Sequence, residues 1–146
     1  QAKRKRKLEV RRTKFLRDET MVSSLCDSAD ELADEVNAAA IVVFTDSGST
    51  ALLLSKYRAS VPIIAITDKK KVYHQLALYC GVLPVQAKTH FKQMSGIKEM
   101  LQEVDRCSRD LGHLKNGDMV VMLAGIPIAK AGSTNMIRVH KVGEPL

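Results

Sequence analysis

The sequence predicts an α/β fold: a mostly parallel sheet of about five strands flanked by helices, with the last strand antiparallel. Short apolar runs rich in β-branched residues alternate along the chain with segments whose apolar residues recur every three or four positions. This alternation is typical of right-handed β-α-β crossovers, which build parallel sheets covered by helices. The loop before the last strand is too short for a helical crossover, so that strand is expected to reverse direction.

The first half of the chain predicts a helix followed by a strand-helix-strand unit. Apolar spacing between Asp18 and Asn37 indicates an amphipathic helix. Ala40 to Thr45 is a continuous apolar run, as in strands that are buried on both faces. Helical spacing resumes from Ser49 to Tyr57 and ends before Pro62, after which Ile63 to Thr67 forms a second buried strand.

The second half continues the alternation. Gly81 and Gly112 each follow a helical pattern and are expected to end it in the left-handed conformation. Pro84 indicates an edge strand or a bulge, and 127–132 is expected to be a loop. The predicted helices are Lys69 to Cys80 and Lys92 to Leu111, and the predicted strands are Val82 to Gln86, Met119 to Ala124 and Met136 to Val142.

Length and composition favour one folded domain. The chain has 146 residues, of which 45% are hydrophobic and 27% charged, so it can bury a core and is not disordered as a whole. No apolar run approaches the roughly 20 residues that cross a bilayer, so no membrane partner is expected. Because the first residue is Gln1, the sequence is interpreted as processed or as a piece of a longer protein.

The positive charge is concentrated at the beginning of the chain. The formal net charge is +7, yet residues 1–17 contain nine basic residues against Glu9 and carry +8 by themselves. We therefore interpret residues 1–17 as a basic arm or linker, and residues 18–146 as a nearly neutral α/β domain. Residues 3–17 are either a solvated tail, a nuclear targeting signal or a segment that contacts nucleic acid or an acidic partner.

The cysteines indicate a reducing compartment. Cys26, Cys80 and Cys107 are odd in number, widely spaced and without a C-x-x-C pair, so they predict neither a disulfide framework nor a zinc site. We expect all three to be small buried residues. The protein is expected inside the cell, in the cytoplasm or an organelle.

Catalytic patterns are poor. The sequence contains no G-x-S-x-G elbow, Walker P-loop or G-x-G-x-x-G fingerprint, and Ser47 and Ser49 have no identifiable base. The four histidines show no metal-ligand spacing and are interpreted as ordinary, so no catalytic residue, metal or cofactor is predicted for this chain. The acidic residues of the first helix are expected to form a solvated face: Asp27, Asp30, Glu31, Asp34 and Glu35.

The loop after the first strand is the best candidate site. It reads T-D-S-G-S-T, and Thr45, Ser47, Gly48, Ser49 and Thr50 offer hydroxyls, a glycine and backbone N–H groups at the start of a helix. Ligands of open parallel sheets bind at this edge, and a helix N-terminus favours phosphate. The carboxylate in this loop would repel phosphate unless it turned away. The alternative is plain helix capping by Ser47 or Ser49.

A second segment with hydroxyls follows the strand Met119 to Ala124. It contains Lys130, Gly132, Ser133 and Thr134. If the two strands are neighbours, both loops open at the same edge of the sheet and can close around one ligand. A tight turn before the last strand is the alternative.

Six segments of the chain carry a family resemblance through their order and spacing. They are A-I-V-V-F-T-D-S-G-S-T-A at 40–51, S-K-Y-R at 55–58, V-P-I-I-A-I-T at 61–67, G-V-L-P at 81–84, G-D-M-V-V-M-L-A-G-I-P at 117–127 and G-S-T-N-M-I-R-V-H-K-V-G at 132–143. Together they resemble the carboxyl-terminal regulatory domain of the pyruvate kinase family, and the resemblance covers most of the chain, from about Met21 to Val142.

The resemblance implies a role in regulation and subunit assembly. In that family, a separate (β/α)8 barrel uses magnesium and potassium to transfer phosphate between phosphoenolpyruvate and ADP. The carboxyl-terminal domain supplies subunit contacts and, in many members, a pocket for a sugar phosphate or nucleotide monophosphate. By resemblance, residues 45–50 hold the phosphate and residues 130–134 close the pocket.

The chain departs from the family at the grip for a second phosphate. It contains no tryptophan, and only Lys92 and Lys98 are near the expected position. From the resemblance as a whole, we expect an oligomeric regulatory domain that binds a phosphorylated metabolite. Two alternatives stay open: a scaffold in a larger complex whose basic arm contacts nucleic acid or an acidic partner, and a small independent enzyme.

Overall fold

A computed structural model describes residues 21–125 and 134–146, which form one five-stranded sheet with helices on both faces. This architecture confirms the predicted α/β fold. The helices are α1 (Met21–Glu35), α2 (Ser49–Lys56), α3 (Lys70–Leu76) and α4 (Ile97–Leu111), and the strands are β1 (Ala40–Phe44), β2 (Ile63–Thr67), β3 (Val82–Gln86), β4 (Met119–Ala124) and β5 (Met136–Lys141).

The strand order is β3-β2-β1-β4-β5, which puts β1 at the centre of the sheet. β1 pairs in parallel with β2 and with β4, as in the register Ile41 to Ile63 and Ile41 to Val121. β5 pairs antiparallel with β4, as predicted. Pro84 lies in β3, an edge strand, where a residue without an N–H donor is tolerated.

Two hydrophobic cores cover the two faces of the sheet. Helices α1, α2 and α3 pack on one face around fully buried residues such as Ile41, Val43 and Leu54. Helix α4 covers the other face, together with a 3-10 turn at Phe91–Gln93. The rings of Phe44 and Phe91 lie 5.9 Å apart between centroids, so the turn contributes directly to this second core.

Two predicted helices are shorter than expected. Helix α3 ends at Leu76 rather than at Cys80, and helix α4 begins at Ile97 rather than near Lys92. The apolar spacing before α4 suggested a longer helix because Phe91 and Met94 are buried in the same core as α4. Phe91 lies in a 3-10 turn, however, and Met94 lies in the extended segment that follows it. The helix therefore begins only after Gly96, which occupies its N-cap position.

Both glycines that were expected to be left-handed are so. Gly112 has φ 67° and ends α4, which confirms its predicted role as a helix stop. Gly81 has φ 74°, but it lies beyond the end of α3, in the turn that leads into β3. The first helix, predicted from Asp18 to Asn37, is described from Met21 and ends at Glu35.

Two burial expectations were wrong. Cys26 and Cys107 are buried free thiols, whereas Cys80 is exposed because α3 ends before it. Asp30 was expected on a solvated face, but it is only 2% exposed. Its Oδ1 accepts hydrogen bonds from the N–H and the hydroxyl of Ser60, both at 3.0 Å, which explains why a carboxylate is stable there.

The basic arm at residues 1–17 and the predicted loop at 127–132 lie outside the described residues. Among the helices that are described, none has both the length and the hydropathy needed to span a bilayer.

Candidate functional site

The candidate phosphate loop, residues 45–50, lies at the carboxyl end of β1, where the chain turns into α2. The N–H of Gly48 donates to Oγ1 of Thr45 at 2.7 Å, which closes the turn. Gly48 has φ 86°, a left-handed conformation that glycine adopts without steric strain. Val72 and Leu76 of α3 pack close to it: a β-carbon at Gly48 would lie 3.5 and 3.6 Å from their side-chain atoms.

Hydroxyls and amides are presented together in this loop. Ser47 and Ser49 are exposed, and their Oγ atoms are 3.0 Å apart. The first bond of α2 runs from the N–H of Leu52 to the carbonyl of Gly48, so the amides of Thr50 and Ala51 have no acceptor within the helix. An anion seated here would meet these amides, the positive end of the helix dipole and two exposed serine hydroxyls.

Serine side chains make only a long hydrogen bond at the N-terminus of α2, so the capping alternative has little support. Gly48 occupies the cap position of α2 and has no side chain to accept a hydrogen bond. Ser47 Oγ accepts from the N–H of Ser49 at a long 3.4 Å. Capping by serine therefore does not by itself account for the hydroxyls of this loop.

The two predicted loops meet in space. β1 and β4 are neighbours in the sheet, and Oγ1 of Thr50 lies 2.9 Å from Oγ1 of Thr134. Both threonines are buried, at 4% and 6% exposure. Lys130, Gly132 and Ser133 of the predicted closing loop lie outside the described residues. Thr134 is therefore the residue of that loop whose contact with the phosphate loop is described.

Asp46 is neutralised by a lysine from the adjacent loop. Nζ of Lys69 lies 2.8 Å from Oδ1 of Asp46, whose side chain is 15% exposed. The hydrogen bond with Asp46 raises the pKa of Lys69, so the lysine carries its positive charge at neutral pH. The carboxylate that would repel a phosphate is thus directed to a cation rather than to the N-terminus of α2.

A second carboxylate at this edge was missed from the sequence. Asp68 directly follows β2, and its Oδ2 accepts the N–H of Phe91 at 2.9 Å. Its Oδ1 is buried and has no hydrogen-bond partner within the described part of the chain. The signal that could have revealed it was its position, since a polar residue directly after a buried parallel strand lies at the ligand-binding edge.

A buried histidine was also missed. Nε2 of His140 on β5 lies 2.8 Å from Oδ1 of Asp105 on α4, and both residues are buried. They are 35 residues apart, so no sequence spacing announces the pair. Since His140 pairs in register with Val120 near the start of β4, the pair lies towards the opposite edge of the sheet and joins α4 to β5.

Metal ligands are not assembled in the described ranges. Within residues 21–125 and 134–146, no group of three or more His, Cys, Asp or Glu side chains could hold an ion.

Comparisons with known proteins agree on one family. The family model described as "Pyruvate kinase, alpha/beta domain" matches residues 23–140. The chain is 32% identical to a pyruvate kinase of Lactobacillus delbrueckii subsp. bulgaricus over 139 residues, 36% to one of Thermotoga maritima over 137, and 35% to one of Staphylococcus haemolyticus over 141.

The aligned regions cover nearly all of this chain and a small share of each relative. They include 95%, 94% and 97% of this chain but 23%, 28% and 23% of the respective relatives, so the chain spans about a quarter of their length. An alignment over 97% of the chain necessarily includes most of residues 1–20. The family match and the sheet topology agree, and the chain belongs to the pyruvate kinase family, with residues 23–140 forming its alpha/beta domain.

Proposed function

We propose that this chain is the regulatory and subunit-assembly domain of a pyruvate kinase and binds a phosphorylated effector at the phosphate loop. The observation that carries the proposal is the contact between Thr50 and Thr134. It brings the loop after β1 and the segment before β5 to one place, at the N-terminus of α2.

The chemistry of this place suits a phosphate monoester. Backbone N–H groups at a helix N-terminus and serine hydroxyls bind phosphate oxygens without a dedicated cation. The exposed hydroxyls of Ser47 and Ser49 can reorient to donate, and Lys69 offsets the nearby carboxylate of Asp46. A sugar phosphate or a nucleotide monophosphate has the required group.

The effector would act by differential binding. Phosphate transfer between phosphoenolpyruvate and ADP takes place on a barrel elsewhere in the complete protein. A phosphorylated ligand that prefers one arrangement of subunits stabilises that arrangement and thereby changes the activity of the barrel. Coupling of this kind is typically about 1 to 3 kcal/mol.

The scaffold alternative is not favoured. It relied on a basic arm that contacts nucleic acid or an acidic partner, but alignments with pyruvate kinases extend over 94% to 97% of this chain. The arm is thus compatible with the segment that joins this domain to a barrel.

Calorimetric titration of the complete protein with ribose 5-phosphate, glucose 6-phosphate and adenosine monophosphate tests the proposal. We expect at least one to bind, and we expect the double variant Ser47→Ala with Ser49→Ala, which removes both exposed hydroxyls, to weaken binding by about tenfold or more. Ser28→Ala, which removes an exposed hydroxyl from α1, is the matched control and should bind normally. No binding of any phosphorylated metabolite at millimolar concentration would contradict the proposal.

A further inference from the structure

We infer that a cleft between α4 and β5 binds a small carboxylic acid with an apolar body. The cleft has a volume of about 290 Å³ and is lined by residues of α4, of β5 and of segment 144–146. This volume is at the lower end of the range of small-molecule sites. The cleft lies on the face of the sheet that α4 covers, whereas α2 packs on the other face. The inference is therefore independent of the phosphate loop.

The alternation of side chains along β5 directs two polar residues towards α4. Met136 packs against the core under α4, and Ile137 packs against the core on the other face. Because successive residues of a strand point to opposite faces, Arg138 and His140 are on the same face as Met136. β5 is an edge strand of the sheet, and Arg138 is exposed, so α4 leaves this part of the strand open.

The three walls of the cleft are held together by one carboxylate. Nε2 of His140 lies 2.8 Å from Oδ1 of Asp105 on α4, and the same oxygen accepts the N–H of Gly143 at 3.3 Å. Asp105 thus joins α4 to β5 and to the turn that leads into segment 144–146. Because these contacts fix the walls, the cleft is preformed, and a ligand has few groups to order when it binds.

The charges at the cleft favour an anion. Lys98 on α4 and Arg138 on β5 are both exposed, and neither forms a salt bridge with a carboxylate within residues 21–125 and 134–146. Among the described lining residues, Glu144 is the acid, so two positive charges face one negative charge when His140 is left out of the count. The guanidinium group of arginine binds a carboxylate through two parallel hydrogen bonds.

The remaining lining residues are apolar and select the body of the ligand. Ile97 and Leu101 belong to the α4 wall, and Pro145 and Leu146 belong to segment 144–146. Leu146 is 50% exposed, so a ligand that covers it removes apolar surface from water. The excess of one positive charge matches a monocarboxylate better than a phosphate dianion. The complementary ligand is therefore a monocarboxylic acid with a short carbon chain.

Calorimetric titration of the complete protein with hexanoate, hexanamide and acetate tests this inference. Hexanoate has both the charge and the apolar chain, whereas hexanamide lacks the charge and acetate lacks the chain. We expect hexanoate to bind about tenfold or more tightly than either of the others. Equal affinity for hexanoate and hexanamide would contradict the role of the two cations, and equal affinity for hexanoate and acetate would contradict the role of the apolar walls.

Two substitutions that change the charge of the cleft should act in opposite directions. Arg138→Gln removes the guanidinium group and should weaken hexanoate binding about tenfold, whereas Glu144→Gln removes the opposing charge and should tighten it a few-fold. Arg109→Gln removes an exposed cation of α4 that does not line the cleft, so it is the matched control and should not change the affinity. All three side chains are exposed, and we expect the fold to be retained.

Two results would overturn the inference. The first is the absence of hexanoate binding to the wild-type protein at millimolar concentration. The second is hexanoate binding that Arg138→Gln leaves unchanged, because the ligand would then lie outside the cleft.

Discussion

The hydroxyls of Thr50 and Thr134 lie 2.9 Å apart, although 84 residues separate them in the chain. This contact fixes the distance between the loop that follows β1 and the segment that precedes β5. Because both residues are buried, this contact is part of the packed interior of the domain.

Replacing one member of this pair should destabilise the domain. Thr50→Val or Thr134→Val leaves a buried hydroxyl without its partner, which costs about 1 to 2 kcal/mol. The double variant should cost less than the sum of the two, because no hydroxyl is then left unpaired. Urea unfolding of all four proteins measures these differences, and strict additivity would show that the two hydroxyls are not coupled.

The ion pair between Asp46 and Lys69 should affect how tightly the phosphate loop binds inorganic phosphate. Asp46→Asn removes a negative charge beside the loop and should tighten binding of inorganic phosphate a few-fold, while Lys69→Ala exposes that charge and should weaken binding by a similar factor. Titrations at low and high salt check both changes. The differences should shrink at high salt, since Lys69 is half exposed, and the opposite order would contradict the account.

The buried carboxylate of Asp30 should contribute to stability. Asp30→Ala removes the acceptor for the N–H and the hydroxyl of Ser60, and we expect a loss of about 1 to 3 kcal/mol. Asp34→Ala, an exposed acid on the same helix, is the control and should change the free energy of unfolding by less than about 0.5 kcal/mol. Equal effects of the two substitutions in urea unfolding would show that the Ser60 contact is unimportant.

The three thiols should differ in reactivity. Cys80 is exposed, whereas Cys26 and Cys107 are buried. Alkylation of the native domain with iodoacetamide at pH 8 should modify Cys80 first, and Cys80→Ser should remove the fast phase. Rapid labelling of Cys107 would contradict the packing of α4.

Cys107 should also make stability depend on pH in the alkaline range. Burial raises the pKa of its thiol to about 11, against an ordinary value of 9.0. Below pH 9 the thiol is protonated in both states and has no effect, whereas between about pH 9 and 11 the unfolded chain ionises first and folding becomes less favourable. Cys107→Ala should therefore lose less stability than the wild type over this interval. Parallel curves for the two proteins would contradict the assignment.

The elements that depend on local patterns were predictable. The continuous apolar runs of β1, β2 and β4 indicated strands buried on both faces, and the short connection before β5 indicated its reversal. The loop at residues 45–50 was predictable for the same reason, since it directly follows one of these strands.

Features that depend on distant contacts were not predictable. Phe91 and Met94 have the apolar spacing of a helix, but Phe91 donates its N–H to Asp68 and packs against Phe44 from a 3-10 turn that precedes α4. Asp30 has the polarity of a surface residue and is buried by a contact with the loop before β2. In each case the deciding partner lies more than 20 residues away in the chain.

A crystal structure of the complete protein with ribose 5-phosphate would show whether the phosphate loop holds the effector. We expect the phosphate to contact the hydroxyls of Ser47 and Ser49 and the amides of Thr50 and Ala51. A ligand bound at another edge of the sheet, or an empty phosphate loop at saturating ligand, would contradict this expectation.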